Sequence, residues 1–166
     1  MRGALTTIVL CLALGLAAAG CGSSSSSSES SSTSSGSAES GESLKTKPKV
    51  TVPSGEPPQQ LEEKELIEGT GPEAKSGNEV SVNYVGVGYE SEEEFDSSWS
   101  RHEPFSFTLG AGQVIPGWEE GVEGMKVGGR RELIIPPELA YGPTGSPPVI
   151  GPNETLIFVV DLLKAK

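Results

Sequence analysis

From Val114 to Gly142 the chain reads Val-Ile-Pro-Gly-Trp-Glu-Glu-Gly, runs on to Gly128, alternates from Arg130 to Ile135, breaks at Pro136-Pro137 and ends in the aromatic turn Ala140-Tyr141-Gly142. A proline that can open a helix, glycines that stop it and a strand directly afterwards leave room for one short helix against a sheet. Pro116 costs little at the first helical position, because its missing amide hydrogen would be unpaired there anyway. Glu119 and Glu120 sit near the positive end of the helix dipole. Gly121, Gly124, Gly128 and Gly129 limit the helix and predict a stop near Gly124. Val114, Trp118 and Val122 recur four apart and share a face, so the helix turns a tryptophan inward. The segment holds no serine, cysteine or histidine, and its contribution must come from shape and burial.

Period-two alternation dominates the surrounding sequence. Val80, Val82 and Tyr84 point one way and Ser81, Asn83 and Val85 the other, which predicts a half-buried strand with Gly86 and Gly88 marking a bend or bulge toward Tyr89. Leu66-Ile67 before Gly69-Thr70-Gly71-Pro72 reads as a strand end and a turn. Phe105, Phe107 and Leu109 alternate as a core strand. The closing strand, Thr155 to Leu163, carries Leu156, Phe158 and Val160 on one side and Ile157 and Val159 on the other. Pro143 to Pro152 is a turn-rich loop with Val149-Ile150 at its tip. Five to six antiparallel strands around one short helix define an α+β domain whose sheet offers one face to that helix.

The N-terminal third has a different composition. Arg2, an apolar run from Leu5 to Ala19 and small residues before Cys21 read as an export signal over residues 1–21, with an apolar stretch short for a membrane span. Small residues immediately before a cysteine resemble the lipobox of bacterial lipoproteins, which implies a lipid on Cys21, although Ala18 stands where leucine is usual. A plain signal peptide is the alternative. Cys11 would leave with the signal, so the mature chain has no partner for Cys21 and no internal disulfide. Residues 22–60, serine-rich and then proline-rich, read as a disordered linker. Residues 61–166 form one domain with nineteen acidic and eight basic side chains. That surface disfavours phosphate-bearing partners, so no nucleic-acid binding is expected.

Reactive chemistry is poorly supplied. His102 is the sole histidine and has no cysteine nearby to complete a metal site. Ser97 and Ser98 lack an adjacent base and a nucleophile elbow. Glu119 and Glu120 are successive on a helix and do not face each other. The acidic run Glu90 to Glu94 lacks the spacing of a calcium loop and reads as a solvated tip. Neither metal nor cofactor is expected. The surplus is aromatic and apolar residues next to turns: Tyr84, Phe95, Phe105, Val114, Ile115, Trp118, Tyr141, Ile150 and Phe158. Together they predict an apolar pocket with a few polar groups, chiefly Asp96 and Tyr141.

Tyr84, Phe95-Asp96-Ser97-Ser98, Arg101, Pro104-Phe105, Val114-Ile115, Gly117-Trp118-Glu119-Glu120-Gly121, Met125, Val127-Gly128, Ile134-Ile135-Pro136, Ala140-Tyr141-Gly142 and Leu156-Ile157-Phe158 resemble, in that order, the FKBP-type peptidyl-prolyl isomerases. The resemblance covers about Leu61 to Lys166. It implies an antiparallel sheet wrapped around the helix with a cleft between them. Trp118 would be the floor for a proline ring, and Tyr84, Phe95, Phe105 and Phe158 the walls. Val114 and Ile115 would line an edge, the Ile115 amide bonding a substrate carbonyl. Tyr141 and Asp96 would be the polar groups, with Asp96 near Tyr84 and Arg101, and Val149 and Ile150 would come from an overhanging loop. It further implies proline-containing polypeptide substrates, inhibition by macrolides of the FK506 and rapamycin kind, a monomer and, with the N-terminal signal, a lipid-anchored location at the outer face of the bacterial cytoplasmic membrane or in the cell envelope. A proline-segment binding module or envelope chaperone with little turnover is the alternative. Trp99 replaces a usually polar residue and is read as an exposed extension of the binding surface.

Overall fold

The computed structural model describes residues 44–166; the stretch read as an export signal, Cys11, Cys21 and the serine-rich tract lie outside the described residues. Two ten-residue strands, β2 (Glu79–Gly88) and β6 (Leu156–Ala165), pair antiparallel along their length. To them are added β1 (Glu62–Ile67), β3 (Glu94–Ser97), β4 (Phe105–Thr108) and β5 (Arg130–Ile135). The six strands form one antiparallel sheet in the order β1-β5-β6-β2-β3, with β4 also paired to β2. A four-residue helix α1 (Ser98–Arg101) follows β3, and α2 (Pro116–Val122) is the predicted tryptophan-bearing helix, with proline in its first turn and Ile115 as its N-cap. The α+β architecture matches the expectation. The short α1, and a 3-10 turn over Pro137–Leu139, lack a periodic signal long enough to read.

The α2 helix lies close to β5 because two of its residues have no side chain. A Cβ on Gly117 would come within 2.3 Å of Ile135 Cγ2, and one on Gly121 within 2.6 Å of Leu133 Cδ2. Trp118 and Val122 join Val80, Val82, Tyr84, Leu133, Ile135, Leu156, Phe158 and Val160 in the main core. Arg131 closes the far end of the helix. Its Nη1 donates to the carbonyls of Gly121 at 2.9 Å and Glu123 at 3.2 Å, while the guanidinium pairs with Glu63 and Glu65 of β1. A helix with no basic residue in its last turn thus has its end carbonyls satisfied from the neighbouring strand.

The alternation of β2 holds only for its first half. From Val85 to Gly88 every residue is buried, and Ile157 and Val159 on the face of β6 away from the helix are fully enclosed. That second face is covered by residues N-terminal to β1. Val50 and Val52 pack against Tyr89, Ile134 and Ile157, and Arg130 Nη2 donates to the Thr46 carbonyl at 3.0 Å. The domain's contacts therefore begin near Thr46, inside the stretch whose composition reads as linker. Two valines in a polar, proline-rich run are too few to register as a core segment, yet they suffice to cover a sheet face already formed.

Candidate active site

Between α2 and the curved face of the sheet lies an aromatic cluster centred on Trp118, which is only 4% exposed. Tyr84 and Phe158 meet it edge-on, with ring centroids 5.1 and 5.2 Å away and interplanar angles of 86° and 89°. Phe105 stands at 6.2 Å, also edge-on, and Phe107 at 5.8 Å. Phe95 meets Phe158 at 5.5 Å. Such T-shaped contacts direct the positive ring edge of one partner at the negative face of another.

Gly86 makes this arrangement possible. It pairs with Phe158 on one side and Asp96 on the other, and by strand parity it follows Val80, Val82 and Tyr84 on the helix-facing side. A Cβ there would come within 2.7 Å of Phe95 and 2.8 Å of Phe158. The missing side chain is the space into which those two rings lean.

The polar edge is a three-membered network. The Tyr84 hydroxyl donates to Asp96 Oδ2, Arg101 Nη1 donates to Asp96 Oδ1, and Arg101 Nη2 donates to the Tyr84 hydroxyl at 2.7 Å. The Ser97 amide donates to Asp96 Oδ1 at 2.8 Å. Burial, and next the hydrogen bond to Asp96, pushes the Tyr84 phenol up to about 12. Burial opposes the charge on Asp96, but the hydrogen bonds from Tyr84 and Arg101 outweigh it and hold the carboxyl below the usual range. The network is an oriented dipole with its negative end fixed at Asp96.

Ser98 supports it from behind. The Tyr84 amide donates to Ser98 Oγ at 2.9 Å, and that hydroxyl donates to Asn83 Oδ1 at 3.1 Å. Ser98 is a structural brace, a role hidden in sequence because it depends on a partner fourteen residues away.

Val114 and Ile115 are partly buried against the main core. The Ile115 carbonyl accepts the first helical bonds from Trp118 and Glu119 at 2.9 and 3.2 Å, and its amide makes no hydrogen bond among the described residues. Glu119 accepts from the amides of Gly110 and Gly112, clamping the loop after β4 to the helix. Tyr141 and Val149 are exposed, at 42% and 60%. Tyr141 follows Ala140, which packs on the main core. Ile150 differs from its expected place at the tip of the overhanging loop: it is buried in the main core, while its neighbour Val149 is exposed. The Trp99 indole nitrogen is also enclosed, without a hydrogen-bond partner among the described residues. The ring is half-buried and offers less surface than expected. Among the described residues no three His, Cys, Asp or Glu side chains gather as metal ligands.

A six-stranded antiparallel sheet packed on a tryptophan-bearing helix, with aromatic rings converging on a buried indole and a carboxylate held by Tyr84 and Arg101, defines a small α+β domain. Residues 71–163 match the family model of the FKBP-type peptidyl-prolyl cis-trans isomerase. An FK506-binding protein of Streptomyces anulatus is 60% identical over 118 residues, covering 70% of this chain and 95% of the relative. A probable FK506-binding protein of Corynebacterium glutamicum is 52% identical over 120 residues, 72% of this chain and 98% of the relative. The crystal structure of FkpA from Escherichia coli superposes with a TM-score of 0.59 at 47% identity over 64% of this chain; the match spans 48%, about half, of that longer chain. The chain belongs to the FKBP-type peptidyl-prolyl cis-trans isomerases, and rotation about Xaa-Pro peptide bonds is the activity of its domain.

Proposed function

We propose that the aromatic cleft holds the proline ring of an exported polypeptide over Trp118 while the bond before that proline rotates. The observation that carries the assignment of residues is the convergence of Tyr84, Phe105 and Phe158 on one buried indole. Rotation breaks no covalent bond, but loss of amide resonance raises a barrier of about 20 kcal/mol and makes the uncatalysed step take tens of seconds. The planar amide is more polar than the twisted one. Moving it into an apolar cleft therefore disfavours the ground state, and a pocket shaped to the twisted amide binds that form preferentially.

The roles divide accordingly. Trp118 is the floor, with Tyr84, Phe95, Phe105 and Phe158 as walls and Val114 as an edge. The Ile115 amide and the Tyr141 hydroxyl orient the substrate carbonyls. Asp96, aligned by Tyr84 and Arg101, places a fixed negative charge beside the twisting carbonyl carbon. Val149 meets the chain flanking the proline, and Ile150 supports it from the core.

The same cleft would accept macrolides of the FK506 kind, the ligand for which the Streptomyces relative is named. Export and a lipid on Cys21 are supported by Arg2, the apolar run and the small residues before the cysteine. The net charge of −11 favours polypeptide over nucleic-acid partners, and we take the domain to act as a monomer. A protease-coupled assay on Xaa-Pro peptides tests the central reading: accelerated cis-to-trans conversion that FK506 suppresses is expected, and equal rates with and without the protein would overturn it.

A further inference from the structure

Residues 46–52 run across the face of the sheet opposite Trp118. The parity of two strands establishes this: Ile157 and Ile134, which contact the segment, alternate with Leu156, Phe158, Leu133 and Ile135, which face the helix. We propose that this segment is a docked strap by which the chain enters the domain at the back of the sheet, so that the cleft opens away from the side on which residues 46–52 are held.

Three separate contacts seat the strap. Val50 and Val52 cover Tyr89, Ile134 and Ile157. The Thr46 carbonyl is held by Arg130, whose guanidinium is itself fixed by the fully buried Asp161 through Nε and Nη2. Lys47 Nζ pairs with Glu94 at 2.7 Å, across an open groove lined by Val85 and Val87 of the sheet and Val50 and Val52 of the strap. The first two contacts lie over β5 and β6 and the third reaches β3, so the strap is held across the width of the sheet. Without it, a row of buried apolar side chains on β2, β5 and β6 would face water.

The aligned region of the Corynebacterium relative takes in 72% of this chain, more than the 106 residues from Leu61 to Lys166 can supply, so the alignment extends back over the strap. The consequence is geometric. A polypeptide approaching the cleft meets no part of residues 46–52, and the reach of any tether before them is counted from Thr46 and not from Leu61.

The inference stands on the packing and is independent of turnover and of acylation. The test uses the full chain with Cys11 and Cys21 replaced by serine. Nitroxide labels are placed at Lys49→Cys, exposed on the strap, together with Glu132→Cys, on the back of β5, or with Val149→Cys, on the loop at the cleft. Pulsed electron-electron resonance is expected to give narrow distance distributions for both pairs, shorter for 49/132. V50S/V52S should broaden both. K47E should broaden them as well, and K47E/E94K should restore them. Wild-type distributions that are already broad and unmoved by V50S/V52S, or a shorter distance to position 149 than to 132, would overturn the proposal.

Discussion

At the scale of single residues, the proposed cleft separates groups assigned to binding from groups that hold them in place. Tyr141 is the cleaner probe of the two kinds of polar residue, because its ring is exposed and its substitution disturbs no core contact. Y141F is expected to lower kcat/KM by about 2- to 10-fold, the worth of one neutral hydrogen bond, with an unchanged urea midpoint. Tyr84 behaves differently. Its phenol is pushed up to about 12 in the folded chain, whereas an unfolded tyrosine titrates near 10 on average, so about two decades of pH separate the states. The folded chain holds that proton more tightly. The resulting stabilisation is complete below the unfolded value and is lost as pH rises through the folded one. Urea midpoints measured across this alkaline range should decline more steeply for wild type than for Y84F. Asp96 has the opposite sign: its depressed carboxyl contributes stability that disappears as pH falls through its folded pKa, and D96N should flatten the acid limb.

At the scale of elements, α2 carries Trp118, the proposed floor of the cleft, and has little stability of its own. It is seven residues long and contains glycines at 117 and 121, so its position depends on packing against β5 and on contacts at both ends. G117A should push the helix off Ile135 and cost about 1–3 kcal/mol, as overpacking a core does, with a parallel change in Trp118 fluorescence; an unchanged urea midpoint would show that the close approach is not required. The helix and most strands were legible in sequence because proline, glycine and period-two alternation are local signals. The row that shapes the cleft was less so. Gly86 was readable as a bend, but its role in admitting Phe95 and Phe158 depends on the register of β2 with β3 and β6. Ile150 follows the same logic: it sits beside exposed Val149 in sequence, and only packing distinguishes the buried residue from its exposed neighbour.

At the scale of the whole molecule, the proposed cleft lies on one side of the sheet and the strap on the other, and the first 21 residues of the sequence read as an export signal. Metabolic labelling with a fatty acid is expected to mark the wild type and to vanish for C21S; absence of label from the wild type would leave an exported protein without an anchor. The aromatic set, the tryptophan helix, the alternating strands and the acidic balance were determined by sequence alone, since each is a matter of residue type and spacing within a few positions. The tertiary structure decided which apolar faces are covered and by what. Composition counts Val50 and Val52 as minor residues in a polar run, but their burial is set by a sheet face assembled from strands that lie far along the chain, and that non-local partner has no trace in the local sequence.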